Sequence, residues 1–139
     1  MNDITSIARV AEDFISSGRF VDRIAEIIED DPWSQPSLDR CESFFLKHIN
    51  DFDDQLKFEY VLFLGEGLRR CFNGQWKQQT FPTGDGGEIL NVLCLYYPHS
   101  QHYDIVSNLL DHACDVSTGT TWSAFFKVNQ LFLASITSG

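Results

Sequence analysis

His99, His102, His112 and Cys114 fall within sixteen residues, and all four side chains are soft or borderline ligands for zinc. One ion would need them on one side of the chain. His112 and Cys114 are two apart, and on a helix that separation turns them to different sides. The spacing therefore favours surface or structural histidines, with no metal bound. The glycine-rich TGDGGE, Thr83 to Glu88, offers backbone amides of the kind that cradle an anion. It lacks the G-K-[ST] ending and the strand-loop-helix setting of a phosphate loop, so it reads as a turn.

Carboxylates cluster twice, as Glu26, Glu29, Asp30 and Asp31, and again as Asp51, Asp53 and Asp54. The second group fails as a calcium loop, because the required glycine and the closing glutamate are missing at the proper offsets. General acid and base chemistry needs one carboxyl desolvated in a pocket, whereas neighbouring acids at a polar helix end are solvated. No G-x-S-x-G occurs, and no Ser, His and Asp set stands out. Asn129 interrupts an apolar stripe and reads as a buried amide satisfying a loop backbone. These readings imply no catalytic residue and no cofactor: the chain is not expected to be an enzyme.

Charge narrows the partners. Ten Lys and Arg stand against twenty Asp and Glu, a formal net charge of −10. Such a surface repels phosphate, which argues against nucleic acid and against an anionic membrane. The acid is uneven, with thirteen acids and five bases in residues 1–56 and seven against five in the remainder. The start, MNDITSIARVAEDF, has acids where a secretion signal needs a basic region, and no apolar run reaches membrane-spanning length. A cytoplasmic location is expected. Cys41, Cys71, Cys94 and Cys114 are widely spaced without a C-x-x-C, and they read as reduced, buried small hydrophobes.

The elements that must position these residues follow from periodicity. At 139 residues, 43% hydrophobic and with twelve Phe, the chain is sized for a single domain, 1–139, with an aromatic core. Ile4, Ile7, Ala8, Ala11 and Ile15 mark a first helix stopped at Ser16 to Gly18. Phe20, Val21, Ile24, Ala25, Ile27 and Ile28 predict a second, ending near Asp30 before the prolines. Ser37 is the expected cap of a third, and Asp51, with Asp54 at the capping-box distance, of a fourth. Tyr60 to Leu64 is apolar all round, so the fourth helix should be the buried spine, closed by Asn73 and Gly74. Within it Gly65 and Gly67 predict close approach of another backbone, the hairpin's, and Glu66 should pair with Arg70.

Gln75 to Thr80 and Glu88 to Tyr97 then predict a β-hairpin, its first strand half exposed and its second buried on both faces. Ser100 is the expected cap of a fifth helix using Tyr103, Val106, Leu109, Leu110 and Ala113, and Trp122 to Ile136 forms the sixth. The fold class is mainly α with a β-hairpin, α+β, with about six helices and the hairpin between helices four and five.

FLGEGLRRCFNGQW, Phe63 to Trp76, resembles a helix-to-strand pattern of small bacterial proteins that include immunity proteins of polymorphic toxin systems. The matching positions are Leu64, Gly65, Glu66, Arg69, Gly74 and Trp76, about a tenth of the chain. The resemblance implies a binding antidote and supplies no catalytic residue.

The expected function is therefore an acidic antidote that neutralises a toxin, such as a basic nuclease, by covering it. If the second and fourth helices pack antiparallel, Glu26, Glu29, Asp30 and Asp31 join Asp51, Asp53 and Asp54 in one negative patch. A helix dipole stabilises acids at its start and not at its end, so Glu29 to Asp31 are the sharper candidates, with Trp76 a further partner-binding residue. Two alternatives stand beside it. One is a small enzyme or ligand-binding domain with a pocket between hairpin and helices, using Glu66, Arg69 and the histidines. The other is an assembly subunit docking through the exposed edge of the Gln75 to Thr80 strand.

Overall fold

The computed structural model of the chain describes residues 4–82, 89–98 and 100–137. The described residues form six helices and a three-stranded antiparallel sheet: α1 Ile4–Ser16, α2 Arg19–Arg23, α3 Gln35–His48, α4 Asp54–Phe72, β1 Gln75–Pro82, β2 Ile89–Tyr97, β3 His102–Ile105, α5 Ser107–Val116 and α6 Thr121–Thr137. The sheet order is β1-β2-β3, with Trp76 opposite Leu95 and Asp104 opposite Leu95 from the other side. The α+β class and the place of the sheet between α4 and α5 agree with the sequence reading; the third strand does not appear in it.

α4 is the spine. Every residue from Tyr60 to Leu68 is buried, because α1, α2, α6 and the sheet close around it. Its aromatic neighbours form two groups. Phe63 stacks against both Phe20 and Trp33, with ring centroids 6.2 and 5.6 Å away. Nearer the start of the helix, Tyr60 meets Phe45, Phe52 and Trp122 at 5.8, 5.0 and 6.2 Å. Offset and tilted rings at these separations add to the burial of the large side chains. Asp53, not Asp51, caps the helix: its carboxylate accepts the Leu56 amide at 2.8 Å, while Asp51 belongs to a 3-10 turn that lets Phe52 into the core. Asn73 ends it in the left-handed conformation, φ 58° and ψ 38°, its N–H returning to the Arg69 carbonyl.

Helix two is shorter than its periodicity predicts. It stops at Arg23, because buried Ile24 is already extended at φ −97°, ψ 103°, and Glu26 is left-handed at φ 68°. The segment that follows crosses α4 without regular structure and is tied at two points. The Ile28 amide donates to Ser37 Oγ at 3.0 Å, and Trp33 Nε1 donates to the Phe63 carbonyl at 3.0 Å. Ser37 is thus spent inside α3, whose cap is Ser34 with a proline in the first turn. The glycines of α4 explain the crossing. A Cβ on Gly67 would lie 2.4 Å from Trp33 Cδ1, and one on Gly65 would lie 2.1 Å from Trp76 Cη2. Aromatic rings, not a neighbouring backbone, occupy the notches.

β3 replaces the expected start of the fifth helix. Ser100 and Gln101 form a turn whose amides both return to the Tyr97 carbonyl, with Gln101 left-handed at φ 56°. Beyond it the chain alternates in burial, with Asp104 buried between exposed Tyr103 and half-buried Ile105, and Tyr103 lies against Tyr96, centroids 4.7 Å apart. A period of two over four residues was hidden in a stripe that also fits a helix. The turn Thr83 to Glu88 lies outside the described residues.

Candidate functional site

Among the described residues two charged side chains are wholly buried, Glu42 and Glu66, and both are architectural. Glu66 Oε1 accepts Arg69 Nε at 2.6 Å and Trp76 Nε1 at 3.0 Å, and Oε2 accepts Arg69 Nη2 at 3.0 Å and Arg70 Nε at 2.9 Å. Burial favours the neutral acid, but these donors outweigh it and hold the carboxyl below its ordinary range. With four donors on two oxygens, the group is filled by its own chain. The Glu66 to Arg70 pair agrees with the sequence reading, which did not find Trp76 as a partner. Of the motif positions Gly65, Glu66, Arg69 and Trp76 meet at this seam, the Trp76 ring covering Gly65, while Gly74 abuts Leu95 and Tyr97 and Leu64 is buried in the core. Trp76 is 5% exposed, so it welds β1 to α4 and is not open to a partner, contrary to its place among the expected contacts.

Glu42 escaped the sequence reading because its partners are about eighty residues away. From α3 it accepts the backbone amides of Thr121 at 3.1 Å and Trp122 at 2.7 Å, together with the Thr121 hydroxyl. It is a cap supplied across the core to the start of α6, where a carboxylate also meets the positive end of the dipole. Asp39 reinforces the join through Ser123 Oγ.

The third buried acid differs. Asp104, 8% exposed, accepts Asn129 Nδ2 at 2.8 Å and lies 3.0 Å from His102 Nε2. Tyr97 completes the group; burial first and the Asp104 charge next push its phenol well above the ordinary value. Asn129 is buried as expected, but its partner is a carboxylate rather than a loop backbone. Asp104 also reaches a cleft of about 560 Å³ between β3, α5 and α6, whose walls include Tyr103, Leu109 and Phe125 and whose rim carries Asp111, His112 and Asp115. No feature of the sequence other than the spacing of Asp111 and Asp115 points to this cleft.

The surface acids are dispersed. Glu26 pairs with Arg40 at 3.2 Å, both half exposed. Glu29, Asp30 and Asp31 are exposed in the irregular segment before Ser34, not at a helix end. Asp31 lies near the C-terminal end of α4, close enough to help raise the Cys71 thiol, after burial. Asp51, Asp53 and Asp54 sit at the opposite end of that helix, which at nineteen residues is about 28 Å long. The single combined patch does not form.

Cys41 and Cys94 are buried, whereas Cys71 and Cys114 are exposed, contrary to expectation; none of the four forms a disulfide. Burial pushes Cys41 up to about 12, and Cys114 is raised by burial and then by Asp111 and Asp115. A raised thiol is a weak nucleophile at neutral pH. His102 and His112 lie on β3 and α5, and His99 lies outside the described residues, among which no group of three or more His, Cys, Asp or Glu is arranged for a metal. No helix among the described residues is long and apolar enough to cross a membrane. Comparison with protein-family models, with curated proteins and with solved structures gives no match.

Proposed function

We propose that the chain is an acidic protein-binding antidote of the immunity type, which neutralises a basic toxin domain by direct contact. One observation carries the reading. Glu29, Asp30 and Asp31 are three consecutive exposed acids, and among the described residues none of them forms an ion pair. Their segment is not free to collapse onto a cation of the same chain, because Ile28 and Trp33 pin it on either side. A fixed, uncompensated charge of this kind costs self-repulsion and speeds encounter with an opposite surface. The overall charge of −10 and the helix-to-strand resemblance to immunity proteins support the same reading. Affinity purification from the native host tests it. A single stoichiometric basic protein, whose toxicity the chain suppresses, is the expected result; recovery of the chain alone, or with an acidic partner, would count against it.

A further inference from the structure

We propose that residues 25–34 form a strap that Trp33 latches onto α4, and that this strap opens by itself, more readily at low ionic strength, while the rest of the fold stays closed. The inference goes beyond the antidote reading and concerns the chain alone. The latched form is the one the structure shows.

The strap is shallow. None of residues 25–34 is buried, and the packing of the segment against the core comes from Ile27 and Trp33, themselves only partly covered. Beyond its own turns it is tied by the Ile28 amide to Ser37 Oγ and by Trp33 Nε1 to the Phe63 carbonyl, both at 3.0 Å. Glu26 adds an ion pair with Arg40 that is half exposed on each side and therefore weak. A segment with so few buried contacts opens at a lower free energy than the helices beneath it.

The latch is one ring. Trp33 stacks on Phe63 with centroids 5.6 Å apart and fills the notch at Gly67, where a Cβ would lie 2.4 Å from both Cδ1 and Nε1. Phe63 and Gly67 are buried, so the floor of the latch belongs to the core whereas the strap above it does not.

The latched form carries costs that opening relieves. Glu26 is left-handed at φ 68°, a conformation unusual for a residue with a side chain. Glu29, Asp30 and Asp31 repel one another and the acidic body of the chain, whose formal charge is −10. Asp31 lies near the C-terminal end of α4, where the helix dipole disfavours an acid, and the arginines of that last turn are already engaged by Glu66 and Glu12. Salt screens this repulsion, the screening length contracting from about 30 Å at about 0.01 M to about 8 Å at about 0.15 M. The latch is therefore tighter in the saltier medium. Opening turns a fixed row of acids into a mobile one and uncovers the Phe63 face of α4.

Hydrogen exchange on the isotopically labelled chain at about 0.01 and about 0.15 M ionic strength, read by NMR as protection factors, tests the strap. Trp33 Nε1–H and the Ile28 amide report on it; Trp122 Nε1–H, which donates to the Leu109 carbonyl at 2.8 Å, and the amide of buried Leu68 report on the core. The strap pair should be protected at least about ten-fold less than the core pair, and about three-fold less again at the lower salt. The acids repel hydroxide, the exchange catalyst, so low salt acts on the exchange chemistry in the opposite direction and does not mimic that fall. Glu29→Gln/Asp30→Asn/Asp31→Asn, which keeps the packing, should raise strap protection about three-fold at low salt and abolish its salt dependence. Gly67→Ala, which expels the ring without altering the strap, should lower Ile28 protection at least about ten-fold while Trp122 and Leu68 keep theirs. Strap groups as protected as Trp122, or Gly67→Ala lowering Trp122 as far as Ile28, would mean that the segment opens only with the whole fold, and overturns the proposal. Strap protection indifferent to salt in the parent, or to the triple substitution, overturns it as well. No partner enters these measurements, so the antidote reading stands or falls separately, by affinity purification.

Discussion

A methyl group added at Gly65 would sit 2.1 Å from Trp76 Cη2, inside any tolerable contact. The ring has little freedom to retreat, because its Nε1 is held by Glu66 at 3.0 Å. Gly65→Ala gains about 1 kcal/mol of helix propensity and loses about 1 to 3 kcal/mol to overpacking, so a net fall in stability by chemical denaturation is expected. A rise would show that Trp76 swings aside freely. Glu66 gives a pH signature. Its folded-state value is depressed below the ordinary 4.5, so its contribution is complete above the unfolded value and is lost as pH falls through the folded one. Glu66→Gln should cost about 2 to 4 kcal/mol at neutral pH, discounted from the range for a fully buried pair because the arginines are partly solvated. The gap between parent and variant should close on acidification; a gap constant from neutral pH to well below 4.5 would exclude Glu66 as its source. At this scale the sequence carried half the answer: the glycines signalled close approach, but the ring that fills the Gly67 notch belongs to Trp33, thirty-four residues upstream.

Elements with long, consistent periodicity were legible, and those shaped by one distant contact were not. α1 and α4 follow their apolar spacing closely, because burial along the whole helix leaves no competing arrangement. α2 carries a helical pattern through Ile28, yet it stops five residues earlier, since the chain must cross α4 for Trp33 to reach Phe63 and Gly67. β3 is short enough that its alternation passes for part of a helix. α6 is equally dependent on a remote group, the Glu42 carboxylate. Glu42→Ala removes the acceptor of two backbone amides and a hydroxyl, and it should cost about 1 to 3 kcal/mol. Amide exchange at Thr121 and Trp122 should accelerate more than exchange in α4. Uniform acceleration through both helices would mean that Glu42 supports the core generally rather than capping α6.

For the whole molecule, charge was readable and its placement was not. The acid surplus of residues 1–56 is visible by counting, but its segregation to opposite ends of α4 depends on a loop that periodicity assigned to a helix. The cleft acids Asp104, Asp111 and Asp115 lie in the half of the chain with little net charge and become neighbours only through the β3 turn. The central claim, that fixed surface acids draw in a basic protein, is tested most directly by the association rate of the purified partner as a function of salt. For the parent chain the rate should fall steeply between about 0.01 and 0.15 M ionic strength, as the screening length contracts from about 30 to about 8 Å. Reversal of charge at Glu29, Asp30 and Asp31 should slow capture about ten-fold at the low end, flatten that dependence and leave the melting temperature unchanged. An unchanged rate and an unchanged slope in the triple variant would contradict the account.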